Sequence, residues 1–303
     1  MMRFVALLVV FALSCIGTAQ ARHFDDVVDS GVIYIGAYKD FPPYSFIDEQ
    51  GEPAGVDIEI GRRIAAAFDL QMAVHWITPD ETLSDDLRNS VWKGHYLDKD
   101  EANPLARKHL ADVMMRVPYD REYAFQRDGQ GLLINDQVVL FGPYQRERWQ
   151  VAFDSEKIER VSTVAVFQYH RIGVEIDSLP DFYLTSAFAG RMRKNTIHFF
   201  NNAAAFEAMV AGKVDAVMGM RAEIDWQMSQ RDDQRYRLAE NGFPAMGKQQ
   251  WDIGMAVSQR YRQLGNEVDV VVEEMIRSGE IESIYAAYGL RYELPGLYQD
   301  VTQ

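Results

Sequence analysis

Aromatic rings and a handful of placed polar groups are the side chains here that could do chemistry. Tyr38, Phe41 and Tyr44 fall within seven residues around Pro42-Pro43. On a loop, such rings offer flat apolar walls with polar tips, suited to holding a small molecule. Trp76 could form another wall. Core packing, or stabilising the proline loop, is the competing use of Tyr38, Phe41 and Tyr44, and core packing that of Trp76. Arg121 could supply a bidentate fork to a carboxylate, or make a surface ion pair. Ser178 and Asp181 have the spacing of a helix capping box. An acid–base role for Asp177 with Arg121 across a cleft is the enzyme reading to weigh. No Gly-x-Ser-x-Gly elbow, His-Glu-x-x-His helix, phosphate loop or dinucleotide glycine motif is present, so catalysis is not expected. His95, Asp98, Asp100, Glu101 and His109 share one segment, but their spacing matches no metal loop and a solvated excursion explains them. No metal or cofactor is expected.

The elements that must position these residues alternate. Residues 32–36 read as a strand that ends at Gly36 before the proline loop. Residues 57–68, with apolar positions at Ile58, Ile60, Ile64, Ala65 and Phe68, predict an amphipathic helix. A strand over 72–77, a helix over 81–92 and a buried strand over 111–115 follow. Polar insertions are expected at 93–110 and 126–136, the second preceding an apolar run at 138–141. The alternation restarts with a helix over 162–168 and a strand over 171–176. A helix after Pro180, a strand over 196–200, a helix over 203–211, a strand over 214–218 and a helix over 221–228 complete that run. A strand at 251–257 and helices at 262–276 and 281–288 close the chain. Two such runs imply an α/β fold of two lobes, each a mainly parallel sheet covered by helices. The helix-to-strand pattern ending in Ala111-Asp112-Val113-Met114-Met115 returns in Val214-Asp215-Ala216-Val217-Met218, so the lobes read as repeats of each other.

Composition narrows the function. The 303 residues carry 31 basic against 45 acidic side chains, a formal charge of −14. Such a surface repels nucleic-acid backbones. A basic start at Arg3, an apolar run over 4–13 and Ala19-Gln20-Ala21 read as a secretory signal at residues 1–21, cleaved after Ala21. Cys15, the only cysteine, lies inside it, either as a small apolar residue or as a lipidated one. The mature chain therefore has no thiol chemistry.

Gly55-Val56-Asp57-Ile58-Glu59-Ile60 followed by Ile64-Ala65 is similar to the signature of the bacterial extracellular solute-binding proteins of family 3, the periplasmic amino-acid-receptor type. Residues 36–46, 206–217, 253–257 and 278–288 resemble that family in the same order. The resemblance implies a two-lobed, type II periplasmic-binding-protein-like fold with two hinge crossings, near residues 144–148 and 247–249. It divides the chain into lobe 1 (22–146 and 248–303) and lobe 2 (147–247).

What the resemblance implies for ligand contacts is mixed. Phe41 matches the family's stacking aromatic, and Tyr119 and Arg121 fall just after the third strand, where the family reads a carboxylate. A Ser/Thr pair that normally accompanies that arginine is missing. Asp177 and Ser178 stand at the family's glycine-hydroxyl turn, with Asp177 opposing an anion. Met220 replaces the aspartate that meets a ligand's ammonium. The expectation is a periplasmic, monomeric receptor that closes on a small polar or aromatic molecule and delivers it to an inner-membrane ABC permease. An ordinary zwitterionic amino acid is a doubtful ligand. The alternative is a non-transport accessory protein on this scaffold, associated with a periplasmic quinoprotein alcohol dehydrogenase or a cytochrome. A sensor input is a third option.

Overall fold

The computed structural model describes residues 22–95, 110–231, 234–240, 242–243 and 246–299. The signal segment, Cys15, Asp98, Asp100, Glu101 and His109 lie outside them.

Lobe 1 opens with helix α1 (Phe24–Ser30) and strand β1 (Val32–Tyr38). A short ribbon, β2 (Phe46–Ile47) and β3 (Pro53–Ala54), leads into α2 (Val56–Ala67), then β4 (Gln71–Ile77), α3 (Leu83–Leu87), β5 (Val113–Pro118) and α4 (Arg121–Ala124). The long strand β6 (Val138–Asp154) carries the chain into lobe 2, built from β7 (Ile172–Glu175), α5 (Leu179–Gly190), β8 (Thr196–Phe199), α6 (Asn202–Val210), β9 (Ala216–Met220), α7 (Arg221–Ser229) and β10 (Tyr236–Leu238). The returning strand β11 (Gln250–Ser258) is followed by α8 (Arg262–Arg277), α9 (Glu280–Ala287) and α10 (Gly296–Gln299).

Sheet order is β4-β1-β5-β11-β6-β9-β7-β8, with β10 added to β6. Within each lobe the first strand lies between the second and third, all parallel, as β4-β1-β5 and β8-β7-β9. The repeat read from the sequence is therefore a repeat of topology. Antiparallel β6 joins the halves: residues 138–148 pair with β11 and residues 149–153 with β9.

The cores are divided between the lobes except around α7, where Ala222 and Trp226 pack into the lobe 1 cluster. Ile33, Ile35, Ile60, Ile64, Val113, Val268 and Tyr285 cluster in lobe 1, while Val151, Phe167, Ile172, Val174, Leu184 and Met218 cluster in lobe 2. The predicted helix over 57–68 forms because its apolar residues fall on one buried stripe. Gly55 begins it at φ 115°, a backbone state that favours glycine, and a Cβ there would collide with the Tyr44 carbonyl.

Several elements depart from the expectations. The region 81–92 is α3 followed by a π turn over Arg88–Trp92, and 164–168 is 3-10 rather than α-helical. The apolar run at 138–141 continues for 17 residues despite Gly142-Pro143. It can do so because the β11 register shifts between Ile253 and Met255, opposite those residues, so proline meets a bulge instead of a ladder position that needs its missing N–H. The insertion at 126–136 is a turn organised by Asp128, whose carboxylate accepts from the backbone of Gln130 and Leu132, at 2.8 and 2.9 Å. No helix among the described residues is long and apolar enough to cross a membrane.

Candidate functional site

Strand ends set the site. Tyr38 closes β1 and Glu175 closes β7, equivalent positions in the two repeats, and both line one cavity of about 380 Å³. Lobe 1 contributes Tyr38, Lys39, Asp40, Phe41, Pro42, Pro79 and Asp86. Lobe 2 contributes Glu175, Asn201, Ala203, Glu223 and Gln227. The cavity is thus the seam between the lobes, at the carboxyl ends of parallel strands, where α/β sheets generally bind ligands.

Its lobe 1 wall is aromatic. Phe41 is held by a backbone bridge to Ser45 and stands edge-on to Tyr38, with ring centres 6.3 Å apart. The Tyr38 hydroxyl donates to Asp86 Oδ2 at 2.7 Å. Burial, then the charge of Asp86, pushes the Tyr38 hydroxyl pKa up, so it stays a donor. Burial likewise raises Asp86.

The lobe 2 wall is acidic. Glu223, in the first turn of α7, is raised to about 8 by burial, by the charge of Glu175 and by that of Glu147. Burial also raises Glu175. Asn202 Nδ2 donates to Glu223 at 3.3 Å, an opposing, weaker influence. Asn202 itself is 2% exposed, and its Oδ1 meets no partner among the described residues.

Beneath the cavity runs a buried polar network. Arg116, at φ 61°, pairs with Asp57 at 2.8 Å, donates to Gln145 at 2.8 Å and lies over the Tyr44 ring. The Tyr44 hydroxyl donates to Glu147 and the Tyr144 hydroxyl to Asp57, each at 2.9 Å. This explains the aspartate of the Gly55-Val56-Asp57 motif: it holds a buried guanidinium. A second buried arginine, Arg221, pairs with Glu293 and donates to the Arg146 carbonyl at 2.8 Å.

Of the nine residues singled out in sequence, the structure brings Tyr38 and Phe41 to the cavity. Tyr44 is fully buried in the network below it. Trp76, half-buried on β4, Met220, half-buried against the lobe 1 core, and Asp177 and Ser178 are not among its lining. Ser178 caps α5 instead, accepting from the Asp181 N–H at 3.3 Å. Tyr119 and Arg121 line a separate lobe 1 groove of about 670 Å³, with Phe125, Leu133, Asn135 and Arg262. Arg121 lines that groove, and Asp177 lines neither it nor the interlobe cavity. No cluster of three or more potential metal ligands occurs among the described residues. Sequence reasoning missed Asp86, Glu175 and Glu223. The available signal for Glu223 was its place one turn after Met220, where the family's acid is lost.

The bacterial extracellular solute-binding proteins, family 3, have a family model that matches residues 33–91. Among solved structures, an ancestral cationic amino acid solute-binding protein superposes with a TM-score of 0.65 at 16% identity, over 87% of this chain and 98% of that one. An amino acid ABC transporter substrate-binding protein from Streptococcus pneumoniae, bound to L-arginine, gives 0.57 at 14% identity over 89% and 98%. The arginine-bound form of a truncated ArgBP from T. maritima gives 0.53 at 19% identity over 83% and 100%. At such identities these structures establish the two-lobed fold. A comparison with curated proteins finds no match.

Proposed function

We propose that this chain, two-lobed and carrying a family 3 solute-binding segment, captures a small molecule between its lobes and hands it to an inner-membrane ABC permease. The single observation that carries this reading is the cavity built from both lobes, with Tyr38 and Phe41 facing Glu175 and Glu223. Closure around two linking strands, without covalent chemistry, is the mechanism. The solved structures with arginine bound and the transporter component among them support a solute-binding role. In this reading residues 1–21 direct export to the periplasm, and the lobes divide as 22–146 with 248–303 against 147–247.

A thermal-shift screen across amino acids, amines, organic acids and aromatics tests it. A ligand at a hundred times its Kd adds about 2.7 kcal/mol of stability, and Phe41→Ala should remove the shift. A flat screen, with a dehydrogenase co-purifying, favours the accessory reading. One observation speaks for that second reading: the lobe 1 groove exposes Tyr119 and Phe125 at 37% and 59% beside Arg121, a surface suited to protein contact.

A further inference from the structure

Four acidic side chains and one ammonium line the interlobe cavity: Asp40, Asp86, Glu175 and Glu223 against Lys39. No arginine is among them. Two buried arginines are held elsewhere, Arg116 by Asp57 and Gln145, and Arg221 through its Nη atoms by Glu293 and a hinge carbonyl, with its Nε 3.9 Å from Glu147. A ligand carboxylate entering here would face acids and find no guanidinium in the lining, at the cost of a poorly paired buried charge. An ammonium would find Glu175 and Glu223 on the lobe 2 wall and, across from them, Asp86 with the rings of Phe41 and Tyr38.

Building on the solute-binding reading, we infer that the cleft selects a small organic cation without a carboxylate, a monoamine or diamine rather than an amino acid. The ammonium lies between Glu175 and Glu223, which releases its proton to solvent as the cation enters, and the carbon body lies against Phe41. Asp86 keeps Tyr38 oriented as a donor, and Lys39 is exposed. A bare metal ion is not the occupant favoured, since the acids form no ligand cluster among the described residues.

Matched pairs that differ by the carboxylate decide this. Calorimetric titration of the mature protein with agmatine against L-arginine, and with cadaverine against L-lysine, should give the amine at least about tenfold tighter binding in one pair or both. Glu175→Gln and Glu223→Gln should each weaken that amine about tenfold or more while lowering unliganded melting by no more than a few degrees. Tighter binding of the amino acid, lost in Phe41→Ala, overturns the inference and leaves the solute-binding reading standing. Calcium binding that displaces agmatine also overturns it. Neither member of either pair binding, with no closure of the lobes by X-ray scattering, overturns both.

Discussion

The lobes share one strand order yet bring opposite chemistry to their common face. At the end of β1, lobe 1 places a tyrosine whose hydroxyl is tied to an acid, and beneath it a guanidinium locked to Asp57. At the equivalent end of β7, lobe 2 places Glu175, and one turn beyond β9 it places Glu223. The repeated scaffold fixes where groups converge. Single residues at strand ends decide what charge they carry there.

That contrast predicts unequal responses to substitution. Arg116→Ala leaves Asp57, 1% exposed, without its cation and should cost about 3–5 kcal/mol in urea unfolding. A loss under 1 kcal/mol, the value of an exposed pair, would break the contrast. Next comes the tail after α9, which clasps lobe 2: Arg291 grips Asp225 at 2.7 Å, and the Asp225 side chain is 5% exposed. Arg291→Ala should cost about 1–3 kcal/mol by leaving that carboxylate poorly satisfied, and scattering should show the lobes more widely separated. Ser178→Ala, which removes a helix cap and the 2.6 Å hydrogen bond from its hydroxyl to the Glu175 carbonyl, should cost about 1 kcal/mol in urea unfolding.

The remaining effect is in pH. Glu223 keeps its proton to about pH 8 when folded, against an ordinary value of 4.5. Between those values the folded state binds more protons than the unfolded chain, so this group makes stability fall as pH rises through that window. Glu223→Gln removes its contribution, and the melting temperature of the variant should decline less between pH 5 and pH 8.5. An unchanged slope would mean that the lobe 2 wall is not the proton-holding side of the cleft.

Much of the scaffold is legible in sequence because periodicity and glycine placement are local signals. Ile58, Ile60, Ile64 and Ala65 announce the α2 stripe, and the two Asp-Val and Asp-Ala strands announce the repeat. β6 was hidden because Gly142-Pro143 reads as a stop; only the bulge opposite, in a strand more than a hundred residues later, lets the chain run on. Tyr44 reads as a wall residue until the fold sets it under Arg116. The acids of the cleft are harder still. Asp86, Glu175 and Glu223 come from three different elements, and each looks like an ordinary polar position until the lobes meet.

A crystal structure of the mature protein with the tightest solute from the screen tests the central claim most directly. The account predicts ligand density bounded by Phe41 on one side and Glu175 and Glu223 on the other, with both lobes in contact with it. Density confined to the Tyr119–Phe125 groove of lobe 1, with the seam between the lobes closed by protein side chains, would contradict it.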